Sequence, residues 1–252
     1  SVGPPFFNAT VAPLLAALFI LLPFGPMMTW RVGDWKGALM RLAPAGALAL
    51  LTLIVALVTT QWRAVPAIGL AIGVWLIAGG LTYVWTRAAR GEGKALAKIA
   101  ALPLLVWSMS VAHIGAGVLT IGAVAETAFR VERAIALAPG QGVDFAGQRI
   151  TLLEVGNVDG PNYSATRANF RVDRPGGARP LSAERRYYPT SPTPTTEVGI
   201  LSGFDGDLYI AIGDPVRGDA NTWAVRLYHN PLVHLIFLGA LMMALGGLLS
   251  LV

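Results

Sequence analysis

The chain has 252 residues, 54% apolar and only 13% charged, with a formal net charge of +5. Soluble domains average nearer 25% charged residues, so an ordinary aqueous globule is excluded. The positive balance raises an acidic partner such as nucleic acid, and the placement of the charges decides whether that is its meaning.

A helix rises 1.5 Å per residue and needs about 20 apolar residues to cross the hydrocarbon of a bilayer. Residues 1–30, 42–62, 64–86, 99–125 and 227–252 are free of Asp, Glu, Lys and Arg. They predict five membrane helices, at about Val11–Met28, Leu42–Thr60, Pro66–Trp85, Leu102–Ala125 and Leu232–Val252. The interval 126–228 is different in kind, with eleven basic and twelve acidic residues and a Pro/Gly-rich character. The expected architecture is therefore a polytopic α-helical membrane protein with a small β-rich domain inserted before its last helix. Residues 1–125 hold the first four helices, 126–228 the inserted domain, and 229–252 the fifth helix.

Outside the inserted domain eight Lys and Arg stand against two acids. Seven of the eight fall in two short connections: Arg31, Lys36 and Arg41, then Arg87, Arg90, Lys94 and Lys98. By the positive-inside bias those loops face the cytoplasm. Alternate crossings then put the start of the chain, Arg63 and the inserted domain outside, and the C-terminus inside. Trp30, Trp35, Trp62 and Trp85 fall at predicted membrane boundaries, where amphipathic indoles collect. The excess charge is a topology signal, so the expected partner is the lipid bilayer and not nucleic acid. There is no cysteine, and the inserted domain must cohere through its own core. The chain begins at Ser1 without Met or a basic n-region, which points to a piece of a longer membrane protein.

Within the inserted domain, Arg149–Val155, Tyr163–Val172, Leu208–Ile212 and Trp223–Tyr228 have strand character, separated by turns such as Asp159-Gly160-Pro161 and Arg174-Pro175-Gly176-Gly177. A sandwich or partial barrel follows. A further basic and aromatic strand, Glu184-Arg185-Arg186-Tyr187-Tyr188, runs into a proline-rich segment ending at Thr195-Thr196-Glu197. It has two readings: a surface offering Arg185 and Arg186 to a carboxylate ligand or partner chain, or a solvated strand edge.

His113 is the most informative residue, because it lies near the middle of the uncharged run 99–125, where an ionisable side chain is costly. Ser110, Ala116 and Gly117, at i−3, i+3 and i+4, share its face. One reading makes it an axial ligand to haem iron, the small residues leaving room for a flat ring. The other makes it a hydrogen-bond donor to a neighbouring helix, with the small residues serving close packing. Met109, one turn earlier, reads as packing. His229 and His234 flank Pro231 at the predicted start of the last helix, His229 solvated at the interface and His234 about a turn inside. Gly69-x-x-x-Gly73 and Gly79-Gly80 read as a helix-packing surface. No Walker motif, HExxH or hydrolase elbow is present, so no self-contained catalytic site is expected.

The opening Ser1-Val2-Gly3-Pro4-Pro5-Phe6-Phe7-Asn8, the Ala112-His113-Ile114-Gly115 helix, the Glu184-to-Glu197 stretch and Leu241-Met242-Met243-Ala244-Leu245-Gly246-Gly247 together resemble the C-terminal part of the CcmF family, from end to end and in the same order. The resemblance implies a component of a cytochrome c maturation haem lyase, or synthetase, in the bacterial inner membrane, with the inserted domain periplasmic. Such proteins receive haem from the chaperone CcmE and join its vinyl groups to the thiols of a CxxCH motif in apocytochrome c, presented with CcmH and CcmI. The resemblance also implies haem b bound by two membrane histidines, His113 matching the second. The partner histidine, the tryptophan-rich segment and two further histidines lie upstream in the family, so this piece alone is expected to be inactive and its catalytic residues are unassigned. The alternative, from another class, is a non-catalytic membrane scaffold or transporter subunit with an external interaction domain.

Overall fold

A computed structural model describes residues 3–28, 33–89 and 95–251; Trp30, Arg31, Arg90 and Lys94 lie outside the described residues. The chain divides into two compact units, 1–128 with 233–252, and 129–232.

The first unit is helical. Helix α1 spans Pro4–Leu21 and tightens into a 3₁₀ segment, Leu22–Met27, where Pro23 and Pro26 remove two backbone donors. Helices α2 (Trp35–Thr59) and α3 (Ala64–Ala88) pack against one another, the short α4 covers Ala95–Ile99, and α5 runs from Leu104 to Phe129. Helix α6 follows the second unit, from His234 to Leu249.

Helix α2 begins seven residues before the predicted Leu42. Asp34 accepts a hydrogen bond from the Gly37 amide at 2.8 Å, and this cap carries the helix through Lys36 and Arg41. In the same way α5 continues past Glu126. Charge thus marks where an apolar span ends, not where the helix does, because a long side chain can reach water from the first or last turn. Among the described residues, four helical stretches are long and apolar enough to cross a membrane. The fifth prediction is corrected: α6 has 16 residues, about 24 Å of rise, and starts at His234 because Pro231 ends a strand instead of opening a helix.

The second unit is an antiparallel sandwich. Its strands are β1 (Val131–Leu137), β2 (Gly142–Phe145), β3 (Gln148–Asp159), β4 (Ser164–Arg174), β5 (Gly177–Tyr187), β6 (Thr195–Glu197), β7 (Gly199–Gly203), β8 (Gly206–Val216) and β9 (Asp219–Pro231). A four-stranded sheet has the order β1-β9-β8-β7 and a five-stranded sheet the order β2-β3-β4-β5-β6. Ile150, Leu152, Ala168, Phe170 and Val172 from one sheet meet Leu208, Ile210, Ile212, Val225 and Leu227 from the other, all almost fully buried. Alternation along β4 and β9 places these residues inward, as a pleat requires. The chain crosses between sheets twice. Residues 138–141 turn from β1 to β2 with Gly140 and Gln141 hydrogen-bonded to Leu152, and Val198 alone separates β6 from β7. At that second corner a Cβ on Gly199 would lie 2.6 Å from the Ser182 carbonyl, so only glycine permits β7 to approach β5 this closely.

Candidate functional site

His113 lies nine residues into α5, about 14 Å along the axis from Leu104 and about 18 Å from Ala125, the last uncharged residue before Glu126. It is half-buried, and its Nδ1 sits 2.7 Å from the backbone carbonyl of Met109, one turn back. A carbonyl oxygen only accepts, so Nδ1 carries a proton, and in the neutral imidazole the lone pair is then on Nε2. This is the arrangement that fixes the tautomer and ring plane of a metal-binding histidine.

Two glycine seams set the rotation of α5. On one side Gly73 and Gly80 of α3 approach so closely that added Cβ atoms would lie 2.5 Å from Ile121 and 2.9 Å from Ile114. From the opposite direction, a Cβ on Gly117 would fall 2.6 Å from the Gly73 carbonyl. On another side Gly239 and Gly246 of α6 lie against Gly115 and Leu119, and against Ser108 and Ala112, with Cβ distances of 2.4–2.7 Å to backbone atoms. Without a hydrophobic drive between apolar helices in lipid, such backbone approach is a main source of their adhesion. At 100° per residue, His113 sits about 60° around α5 from the α3 seam and about 140° from the α6 seam. It therefore occupies a third face. One turn below, Val106 and Met109 on this face pack with Met27, Leu42 and Tyr83.

The small residues beside His113 have a different use from the one that a flat ring requires. Gly117 and Ser110 are taken up by the α3 seam and Ala116 is buried. Of the stretch Gly69 to Gly80, Gly69, Gly73 and Gly80 face α5, whereas Gly79 faces Pro23.

The other histidines differ from expectation. His229 is not solvated: it faces the sandwich interior in line with Val225 and Leu227, its side chain 14% exposed, with Nε2 3.7 Å from the Asp205 carboxylate and no hydrogen-bond partner among the described residues. Its placement follows from β9 running on to Pro231. His234 is the first residue of α6, not a turn inside it.

Arg185 and Arg186, the candidate ligand cations, are committed within the domain. Arg185 pairs with Asp214. Arg186 donates to Glu184 at 2.8 Å, lies 3.5 Å from Glu197, and stacks over the Tyr163 ring at 4.5 Å. Arg167 also donates to Glu184, at 2.6 Å. The Arg186 hydrogen bond, helped by Arg167, holds the buried Glu184 carboxyl below its ordinary value against the opposing effect of burial. Successive residues of β5 point to opposite sides, which sends the two arginines to different acids. The alternation was visible in the sequence, but the pairing of Arg185 with Asp214 and the approach of Arg167 to Glu184 were not.

Membrane-length helices with a glycine-locked histidine helix and an inserted antiparallel sandwich define a polytopic membrane protein carrying one water-facing β domain. Residues 128–231 match the family model described as the CcmF C-terminal beta-sandwich. Over its whole length the chain is similar to cytochrome c-type biogenesis proteins of the CcmF family. It is 39% identical over 254 residues to the cytochrome c-type biogenesis protein ccl1 of Rhodobacter capsulatus and 34% identical over 255 residues to CcmF of Escherichia coli; each alignment covers 100% of this chain and 38% of the relative. The chain thus spans under two-fifths of the length of the curated relatives that it matches. A solved structure of the cytochrome c haem lyase CcmF shares the fold, with a TM-score of 0.71 at 22% identity, covering 98% of this chain and 40% of that one.

Proposed function

We propose that this chain is the haem-supporting and partner-docking part of a bacterial cytochrome c haem lyase, with His113 as one of two axial ligands to a membrane haem b. The observation that carries the reading is the Nδ1 contact to the Met109 carbonyl, which presents a free Nε2 at membrane depth on the face of α5 used by neither glycine seam. Neutral imidazole in that tautomer suits haem iron. When bound, a b-type haem supplies one-electron redox chemistry, in this reading to keep the delivered haem iron reduced. This chain's own part is to hold the imidazole: the Met109 carbonyl fixes the tautomer, and the seams stop α5 from rotating the ring away.

In this reading the second ligand and the groups that contact substrate haem lie outside this chain, which covers 38% of the length of ccl1. In the same reading the sandwich lies outside the inner membrane, where haem from CcmE is joined to the CxxCH thiols of apocytochrome c with CcmH and CcmI. The basic loops face the cytoplasm. The decisive experiment is the absorption spectrum of the complete protein with His113→Ala. Loss of the six-coordinate b-haem bands, with wild-type helicity by circular dichroism, is expected. Undiminished b-haem with an unchanged reduction potential removes the assignment.

A further inference from the structure

A groove of about 520 Å³ opens in the helical unit between α2, α3 and the residue that ends α4, lined by Arg41, Pro44, Thr82, Trp85, Thr86 and Ile99. It lies in the first turns of α2 and the last turns of α3, the end of the unit that also carries Lys36, Arg87 and Lys98. Arg41 is its polar pole. Its Nη2 is anchored on the Met27 carbonyl at 2.9 Å and lies 3.5 Å from Asp34, while Nε and Nη1 have no protein acceptor among the described residues. The guanidinium side chain remains one-third exposed. The rest of the lining is largely apolar, and Leu81 and Trp85 on this rim are more than half exposed.

The geometry points to a binding site for an anionic phospholipid, its phosphate on Arg41 and an acyl chain along Pro44, Leu81, Trp85 and Ile99. Three features select this ligand. A guanidinium fixed through Nη2 keeps Nε–H and Nη1–H, which point in different directions, as separate charge-assisted donors for phosphate oxygens. The apolar trough that continues from it has no use for a free inorganic anion but matches a hydrocarbon chain. The surplus of basic residues at this end favours a net negative headgroup over a zwitterionic one, as in other basic pockets between membrane helices. The site needs only that the helices span the bilayer and is independent of the haem assignment.

Trp85 supplies the readout. The full chain is reconstituted in phosphatidylcholine vesicles containing increasing fractions of dibrominated phosphatidylglycerol or dibrominated phosphatidylcholine. The Trp85 contribution, among seven tryptophans, is the quenching lost in Trp85→Phe. Half-maximal quenching of that component is expected at a fraction of phosphatidylglycerol about fivefold lower than of phosphatidylcholine, the effect of one interfacial charge. Arg41→Gln should abolish the difference. Thr82→Phe, which fills the groove and leaves both Arg41 contacts in place, should abolish it too, so that loss of the Met27 anchor cannot mimic the result. Equal quenching by the two lipids in the wild type, a preference that survives in both variants, or one erased by inorganic phosphate at constant ionic strength would overturn the assignment.

Discussion

Replacing Gly239 with alanine should loosen α6 from α5, whereas the same replacement at Gly247, two turns along the same helix, should not. A Cβ on Gly239 would lie 2.4 Å from the Leu119 amide nitrogen and 2.5 Å from the Gly115 carbonyl, both backbone atoms that no rotamer can move aside. Restoring ordinary contact requires the two axes to part by about 1 Å, which forfeits a large share of the dispersion along the seam. Overpacking of this kind destabilises by about 1–3 kcal/mol. Gly247 has nothing within 4 Å of its added Cβ. There alanine stabilises the helix by about 0.5–1 kcal/mol through backbone entropy. The pair differs in sign, with a gap of roughly 1.5–4 kcal/mol on summing those ranges. Unfolding of the full chain by increasing dodecyl sulfate in mixed micelles, followed by helical ellipticity, measures both. A midpoint that moves the same way in the two variants would refute the seam as the source of α6 adhesion.

In the sandwich, Phe170→Ala empties a site where the side chain is 1% exposed and should cost about 3–5 kcal/mol, seen as faster amide exchange throughout β4 and β8 with α3 unchanged. Glu184, with its carboxyl held below the ordinary 4.5 chiefly by Arg186, contributes stability present above that value and lost as the pH falls through the lower folded one. Glu184→Gln should therefore lower the thermal midpoint of the sandwich at neutral pH and flatten its decline below pH 4.5; parallel acid limbs in the two proteins would refute the linkage.

Periodicity and charge made the helices and the buried strands legible, since an apolar run or an alternation is a local property. The misses share a physical cause. Strand β1 is mostly exposed at a sheet edge and carries Glu132 and Arg133, so no buried face writes an alternation into it. The first half of β5 contains Pro180, tolerated because β6 pairs only with Glu184, Arg185 and Arg186 and leaves the Pro180 side without a hydrogen-bonded neighbour. His113 could be singled out from depth alone, and its contact to Met109 is local enough to have been foreseen. The commitment of Ser110 and Gly117 to α3 depended on a helix some forty residues away. The burial of His229 follows from β9 running on to Pro231, where it pairs with the distant strands β1 and β8.

The route of the chain through the sandwich also sets an order of assembly. The five-stranded sheet is contiguous from β2 to β6, so each strand can pair with the one just made. The other sheet is assembled from both ends of the domain: Val131 pairs with His229, and β9 is inserted between β1 and β8. Strand β1, the first to be synthesised, must wait unpaired until the last strand appears, and such long-range closure is the slow step of a fold. That sheet can close only once β9 has been made, and β9 ends three residues before α6 begins. During synthesis, completion of the domain and delivery of α6 to its glycine seam therefore follow one another directly.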